Sequence, residues 1–421
     1  MPKTKRSYHI ILLLILAGES IFILPFVLAR IFRPTFLEVF QIDNTQLGYC
    51  FSIYGIVALL SYLLGGPLAD RFEPRKLMAF AIWFTALGGL YMASFPPYFM
   101  LKLLFGCWGF TTIFLFWAPM IKATRMWGEN KSQNRAFGFL DGGRGLVAAS
   151  FGTLGILIFS NLLPADENAV NTLQRQGAFR MVILISSLVI SLVGVLVYIF
   201  LTFPEDKIAE DRRAPMKNIK ETIGNPSVLL LMVIVLCAYV AYKVTDIFSL
   251  YAKDVMQYSE INSANLASVL LYMRPIIGVS LGLFAGRFKS SKLLLFGFGL
   301  VLISASLFSL GYLHEHRNIM FLISIICMAL GTYAARCLYF AMLKEGNIPL
   351  KLTGTAVGLI SLIGYTPDIF MGPSMGYFLD NYEGIWGHQQ VFILLSVFMV
   401  IGIICSALFY RRTSHDSTTA Q

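Results

Sequence analysis

Apolar runs of about 20 residues or more, parted by short polar breaks, fill nearly the whole chain, and a helix needs about 20 residues to cross the hydrocarbon of a bilayer. Only 13% of the residues are charged, against roughly a quarter in soluble domains, while 57% are hydrophobic and the mean hydropathy is +0.70. The breaks therefore count helices. Spans are expected near 8–30, 46–69, 77–95, 98–120, 136–163 and 178–203, then near 227–252, 263–285, 293–313, 319–343, 353–378 and 389–410. This is an all-α membrane protein with twelve transmembrane helices and no stretch left over for a water-soluble domain.

The first span is long, carries Glu19 and lacks a small-residue cleavage site, so it is expected to stay as helix one rather than leave as a signal peptide. The widest interior break, PEDKIAEDRRAPMKNIKETIGNP at 204–226, is polar, mixed in charge and bracketed by prolines. It is read as a cytoplasmic linker between six-helix halves at 1–203 and 227–421.

The net charge of +10 does not form one basic patch, which argues against nucleic acid as a partner. Lys3, Lys5, Arg6, the Arg71/Arg75/Lys76 group, Arg125, Lys131, Arg135, the linker cations, Arg287, Lys289, Lys292, Lys344, Lys351, Arg411 and Arg412 fall in alternate breaks. The opposite breaks hold chiefly Arg33, Arg175, Lys253 and Arg317. The positive-inside rule then puts both termini in the cytoplasm, which an even number of spans requires. The cysteines at 50, 107, 237, 327, 337 and 405 lie in apolar spans without CxxC spacing, and are read as packed free thiols. His-Glu-His at 314–316 is read as a solvated loop rather than a metal grip, and no metal or cofactor is expected.

One break has an echo. GGPLADRFEPRK at 65–76 follows the second span, and GLFAGRFKSSK from Gly282 follows the second span of the other half. Gly66, Arg71 and Phe72 recur as Gly282, Arg287 and Phe288 at a constant offset, an internal repeat at matching topology. The stretch GPLADRFEPRK resembles the signature of the major facilitator superfamily: glycine, three residues, aspartate, arginine, then a basic pair. It departs where the family has glycine, at Glu73 or Pro74, and the second copy has Gly286 in place of the aspartate. The resemblance implies two pseudo-symmetric six-helix bundles that rock around a central site. In that setting Gly66, Asp70, Arg71, Arg75, Lys76 and Arg287 would serve as a cytoplasmic gate, with glycine allowing close helix approach and Asp70 pairing with cations.

Within that family, GTAVGLISLIGY at 354–365 and DIFSLYAKDV at 246–255 resemble the organophosphate/phosphate antiporter branch, which includes glycerol-3-phosphate transporters. That branch holds phosphate with one arginine from helix one and one from helix seven. Arg30 fits the first position, whereas Ala241 stands at the second with Lys243 two residues on. The branch's helix-five histidine is absent, and Asp141 and Arg144 stand in that helix instead. An Arg/Lys site suits a carboxylate about as well as a phosphate oxygen.

The residues alone lead to the same place, because ionisable groups inside hydrocarbon are costly and mark function. The acids are Glu19, Asp141, Asp246 and Asp368; the bases are Arg144, Lys243, Arg274 and Arg336, with Arg30 near a boundary. Glu19 and Arg30 stand eleven residues apart, which at about 100° per residue returns them to nearly one face, roughly 16 Å apart. Asp141 with Arg144, and Lys243 with Asp246, are spaced i and i+3, so local pairing and substrate contact stay open for both. Arg274 and Arg336 lie near Tyr272, Tyr333 and Tyr339, which can offer hydroxyls to a ligand, or can pair with Asp246 or Asp368. Glu19 is the leading proton carrier, with Asp141, Asp246 and Asp368 as further candidates. GGRG at 142–145, GGP at 65–67, RPIIG at 274–278 and Gly372-Pro373 are expected to interrupt their spans and permit bends.

The expected function is secondary active transport of a small organic anion, a sugar phosphate or sugar acid, by proton symport or anion exchange, in a bacterial inner membrane and as a monomer. A non-transporting sensor of such a ligand and a transporter of a neutral solute remain open. Enzyme chemistry is disfavoured because no nucleophile elbow or clustered His/Glu motif appears, and ATP-driven pumping because there is no GxxxxGK[ST] loop.

Overall fold

The computed structural model describes residues 8–128, 133–164, 170–202, 222–284, 289–339, 342–346, 348 and 353–418. The expected linker falls largely outside these residues, as do Arg287 and the side chains of Gly66, Asp70 and Arg71. Among the described residues the regular structure is helical throughout. In the first half, α1 (Tyr8–Ile31), α2 (Asn44–Arg71), α3 (Pro74–Met92), α4 (Tyr98–Thr124), α5 (Gln133–Leu162) and α6 (Thr172–Phe200) follow one another. In the second half come α7 (Pro226–Asp254), α8 (Glu260–Phe284), α9 (Ser290–Ser309), α10 (Asn318–Leu338), α11 (Thr353–Gly364 and Pro367–Asn381) and α12 (Ile385–Thr418). Nine helices of the described residues are long and apolar enough to cross a membrane, and the full order is consistent with twelve passes.

Local chemistry sets the starts. Asp43 caps α2 by accepting from Gln46 N at 2.6 Å, while its own N–H donates to Gln46 Oε1 at 3.2 Å. Asn171 and Gln174 repeat that reciprocal cap on α6, and Asn225 with Pro226 opens α7. The four glycine and proline sequences expected to interrupt spans do not: α2, α5, α8 and the second piece of α11 run through them. The real irregularities lie elsewhere. α1 widens to a π-helix over Ile23–Val27 around Pro25, α4 does so over Phe110–Trp117 just before Pro119, α7 tightens over Thr245–Ile247, and α11 breaks ahead of Pro367. A proline removes a backbone donor and crowds the preceding turn, which accounts for the sites beside Pro25, Pro119 and Pro367. The π-turn lies between Glu19 and Arg30 and shifts the register on which their shared-face spacing rests; both residues are nonetheless buried.

The chain divides into two compact units. The first comprises Met1–Ala209, Phe248–Lys253 and Tyr258–Pro275; the second comprises Glu210–Ile247, Asp254–Gln257 and Ile276–Gln421. Within the first, α1 packs on α5 and α6, and α3 packs on α4 and α6. Within the second, α7 packs on α11 and α12, and α9 on α10 and α12. The pattern repeats six helices on, as the sequence repeat requires. Hydroxyls cross between helices of the first unit: Tyr54 with Thr112 at 2.6 Å and Thr85 with Thr111 at 2.8 Å. In the second unit a methyl group added to Gly331 would stand 2.4 Å from the Gly297 carbonyl oxygen, so the glycine pair sets how closely α9 and α10 approach. Large apolar side chains such as Leu12, Phe80, Phe84 and Ile303 remain exposed along the helices, as a lipid-facing surface demands.

Candidate functional site

A buried charged cluster sits inside the first unit. Arg144 of α5 donates from Nε to Glu19 of α1 at 2.9 Å, and Arg274 of α8 lies 3.7 Å from the other oxygen of Glu19. Arg274 also donates to Asp141 of α5 at 2.8 Å. Glu19, Arg144 and Arg274 are all buried, and Asp141 is the member open to solvent. The two arginines and two carboxylates balance, as charges removed from water must. Aromatic rings complete the enclosure: the Arg144 guanidinium carbon stands 5.3 Å from the Phe22 ring centre and 5.6 Å from that of Trp117. Trp117 closes the π-turn of α4, and Phe22 immediately precedes that of α1, so both irregularities serve this cluster. Gly145 serves it too, because a methyl group there would stand 2.9 Å from the Pro275 ring and 3.0 Å from Arg274. The glycine in GGRG thus admits Arg274 rather than breaking α5.

The second unit holds its own cluster. Lys243 and Asp246 of α7 pair at 3.1 Å, the local i,i+3 pairing that their spacing allowed, and Lys243 also reaches Asp368 of α11 at 3.4 Å. Lys243 lies in the last turn of the first α-helical stretch of α7, and the tightened turn after it carries Asp246; Asp368 lies in the first turn of the second piece of α11. Each charge therefore sits at the helix end that favours its sign. The Tyr239 hydroxyl donates to Asp368, with its two oxygens at 3.2 and 3.0 Å. The Arg336 guanidinium carbon of α10 lies 3.9 Å from the Tyr242 ring centre and 5.8 Å from that of Tyr239. Tyr365 meets Tyr239 edge-on at 4.8 Å, and its hydroxyl lies 3.2 Å from that of Tyr339. Lys243 and Asp246 are buried, whereas Tyr239, Tyr242, Arg336, Tyr365 and Asp368 are half-buried.

The remaining expected residues fall around these clusters. Arg30 is buried at the end of α1, where its carbonyl accepts from Ser249 Oγ at 2.8 Å. Tyr272 bonds Thr153 at 3.0 Å, and Tyr333 is buried. At the turn before α3, Arg75 and Lys76 fold back onto Glu73 at 2.8 and 3.2 Å. Those hydrogen bonds, Arg75's first, hold the exposed Glu73 carboxyl below the usual carboxylate range. The order they lend the turn is present above the unfolded carboxylate value and fades as pH falls through the lowered one. A further network at the ends of α6 and α8 escaped the sequence reading: Arg175 bridges Glu38 and Glu260, each at 2.9 Å, and Thr35 bonds Glu260. Of the aromatic partners, Tyr239 and Tyr242 had a signal, since they stand four and one residues before Lys243 in an apolar helix. Phe22 and Trp117 had none beyond their place in apolar runs.

Comparison with known proteins agrees with this architecture. The pattern that defines the Major Facilitator Superfamily matches residues 10–373. Inner membrane protein YqcE of Escherichia coli (strain K12) is 25% identical over 93% of this chain and 92% of its own. Inner membrane protein YihN of the same organism is 26% identical over 98% and 97%. Among solved structures, a bacterial homolog of the human lysosomal transporter Spinster, in an inward-facing and occupied conformation, superposes with a TM-score of 0.74 at 15% identity, covering 98% of each chain. The D-xylose–proton symporter gives 0.75 at 13% identity over 96% of this chain and 98% of its own. A multi-pass helical membrane chain with this repeat, this order of helices and this match over most of its length belongs to the Major Facilitator Superfamily.

Proposed function

We propose that the protein is a secondary active transporter that moves a small organic anion, a sugar phosphate or a sugar acid, by alternating access. Arg336, Lys243, Arg30, Arg144 and Arg274 are its candidate anion contacts, and Glu19, Asp141, Asp246 and Asp368 its candidate proton carriers. Gly66, Asp70, Arg71, Arg75, Lys76 and Arg287 would form the cytoplasmic gate, with both termini cytoplasmic by the positive-inside rule and the chain in a bacterial inner membrane, as the relatives' names suggest. The organophosphate/phosphate antiporter branch remains part of this proposal.

The observation that carries the reading is Arg336. It lies within a membrane span, half-buried, with its cationic plane laid on Tyr242. A cation kept there at the cost of desolvation has work to do with a negative partner. A guanidinium laid on a ring by its face keeps its N–H donors in the plane of its edge, the geometry by which arginine takes a planar anion.

The test is thermal unfolding of the detergent-purified protein with glucose 6-phosphate, gluconate, inorganic phosphate and glucose, since a bound ligand raises the unfolding temperature. An anion, and not glucose, is expected to stabilise the protein, with the shift lost in Arg336→Gln. Stabilisation by glucose alone would make the substrate neutral and the reading wrong.

A further inference from the structure

We infer that the end of the second unit where α9 begins and α12 finishes is a docking surface for an anionic phospholipid, whose headgroup Lys289, Lys292, Arg411 and Arg412 hold. None of these four residues belongs to the buried charge clusters.

α9 packs on α12 with the start of one beside the end of the other. Lys289 donates from Nζ to Ser414 Oγ at 3.0 Å and stands 5.4 Å from the Tyr410 ring centre. All four cations are exposed. Each helix also carries an exposed apolar stripe that runs into its cations. On α9, Lys292 stands four residues before Phe296, with Ile303 seven residues further on, the spacing that keeps side chains on one face. On α12, Ile401, Ile404 and Leu408 lead to Arg411 and Arg412 by steps of three and four. The charges therefore head the faces that meet lipid. The Glu345 carboxylate, which could quench them, is engaged on the buried side of α9. It accepts from the Ser291 N–H at 3.1 Å and from the Ser291 hydroxyl, and Ser291 is buried.

Depth gives the kind of partner. Tyr410 is half-buried beside Lys289 and marks the level at which amphipathic rings collect, between hydrocarbon and headgroups. One leaflet offers about 15 Å of hydrocarbon, or about ten residues of helix. Below the cations that depth is covered by Phe296 on α9 and by Leu408, Ile404 and Ile401 on α12, all exposed. A phosphate at the level of the cations, with acyl chains laid down those faces, matches both features, whereas an anion free in water would use only the first. Lysine and arginine take phosphate oxygens by charge-assisted hydrogen bonds, and each such cation near an anionic membrane surface adds about a fivefold factor to affinity.

The experiment titrates the full chain in detergent with phosphatidylglycerol, phosphatidylcholine and inorganic phosphate, reading retained lipid by native mass spectrometry and stability by thermal unfolding. Phosphatidylglycerol is expected to stay bound and raise the unfolding temperature, and the other two are not. Lys292→Gln with Arg412→Gln should weaken phosphatidylglycerol binding about 25-fold. Arg75→Gln with Lys76→Gln, which removes the same charge from the turn before α3, should leave it within about twofold. The comparison of lipids on the unaltered protein stands by itself, should a variant fail to fold. Equal binding of phosphatidylcholine overturns the inference, as does an equal loss from both pairs of substitutions, which would make the effect one of bulk charge. Unchanged binding in Lys292→Gln with Arg412→Gln overturns it too, and full stabilisation by inorganic phosphate would make the partner an anion in water rather than a lipid.

Discussion

Arg144→Leu is expected to destabilise the protein by about 3–5 kcal/mol, because it removes one partner from a buried pair and leaves its carboxylate in a dry site. Glu19 loses its 2.9 Å contact with Arg144 and keeps only the longer one to Arg274, while Phe22 and Trp117 lose the cation they enclose. The double replacement Glu19→Leu with Arg144→Leu should cost less than the two single changes together, because it removes both halves of the pair. A double-mutant cycle on unfolding in detergent measures this directly. Strict additivity would mean that the two side chains do not act as a unit.

Lys243→Met should have the largest effect on ligand binding. Its side chain is 1% exposed, and its ammonium is the shared partner of Asp246 and Asp368. Loss of a buried charge contact worth about 3 kcal/mol corresponds to roughly a hundredfold weaker anion binding. Pairing Lys243→Met with Asp246→Asn should return much of the lost stability, since it removes one orphaned carboxylate, but none of the affinity. Isothermal titration of the two variants separates these effects. Recovery of affinity in the double variant would make Lys243 a structural partner alone.

Much of this was legible in the sequence, and the limits are physical. The spans are visible because hydrocarbon demands long apolar runs, and the i,i+3 pairing of Lys243 with Asp246 is visible because helix geometry is local. Arg274 with Asp141 is not: nothing in the chain says that residues 133 positions apart meet, and the local alternative, Asp141 with Arg144, satisfied the same spacing rule. Gly145 of GGRG looks like a break in the sequence and acts as clearance for Arg274 in the fold. Conversely, the π-turn in α1 was announced only by Pro25, and its consequence for the register between Glu19 and Arg30 depends on how the helix absorbs it. Arg175, visible as a rare cation in its set of breaks, gave no hint of Glu38 and Glu260, since both partners lie far along the chain.

The central claim is that the protein moves an anion across the membrane, and the direct measurement is uptake of labelled gluconate and glucose 6-phosphate into sealed proteoliposomes under an imposed pH gradient and under outward anion exchange. The account predicts accumulation of one of these anions above its external concentration, abolished by Lys243→Met. Binding without any flux in either mode would contradict it and leave a membrane sensor in its place.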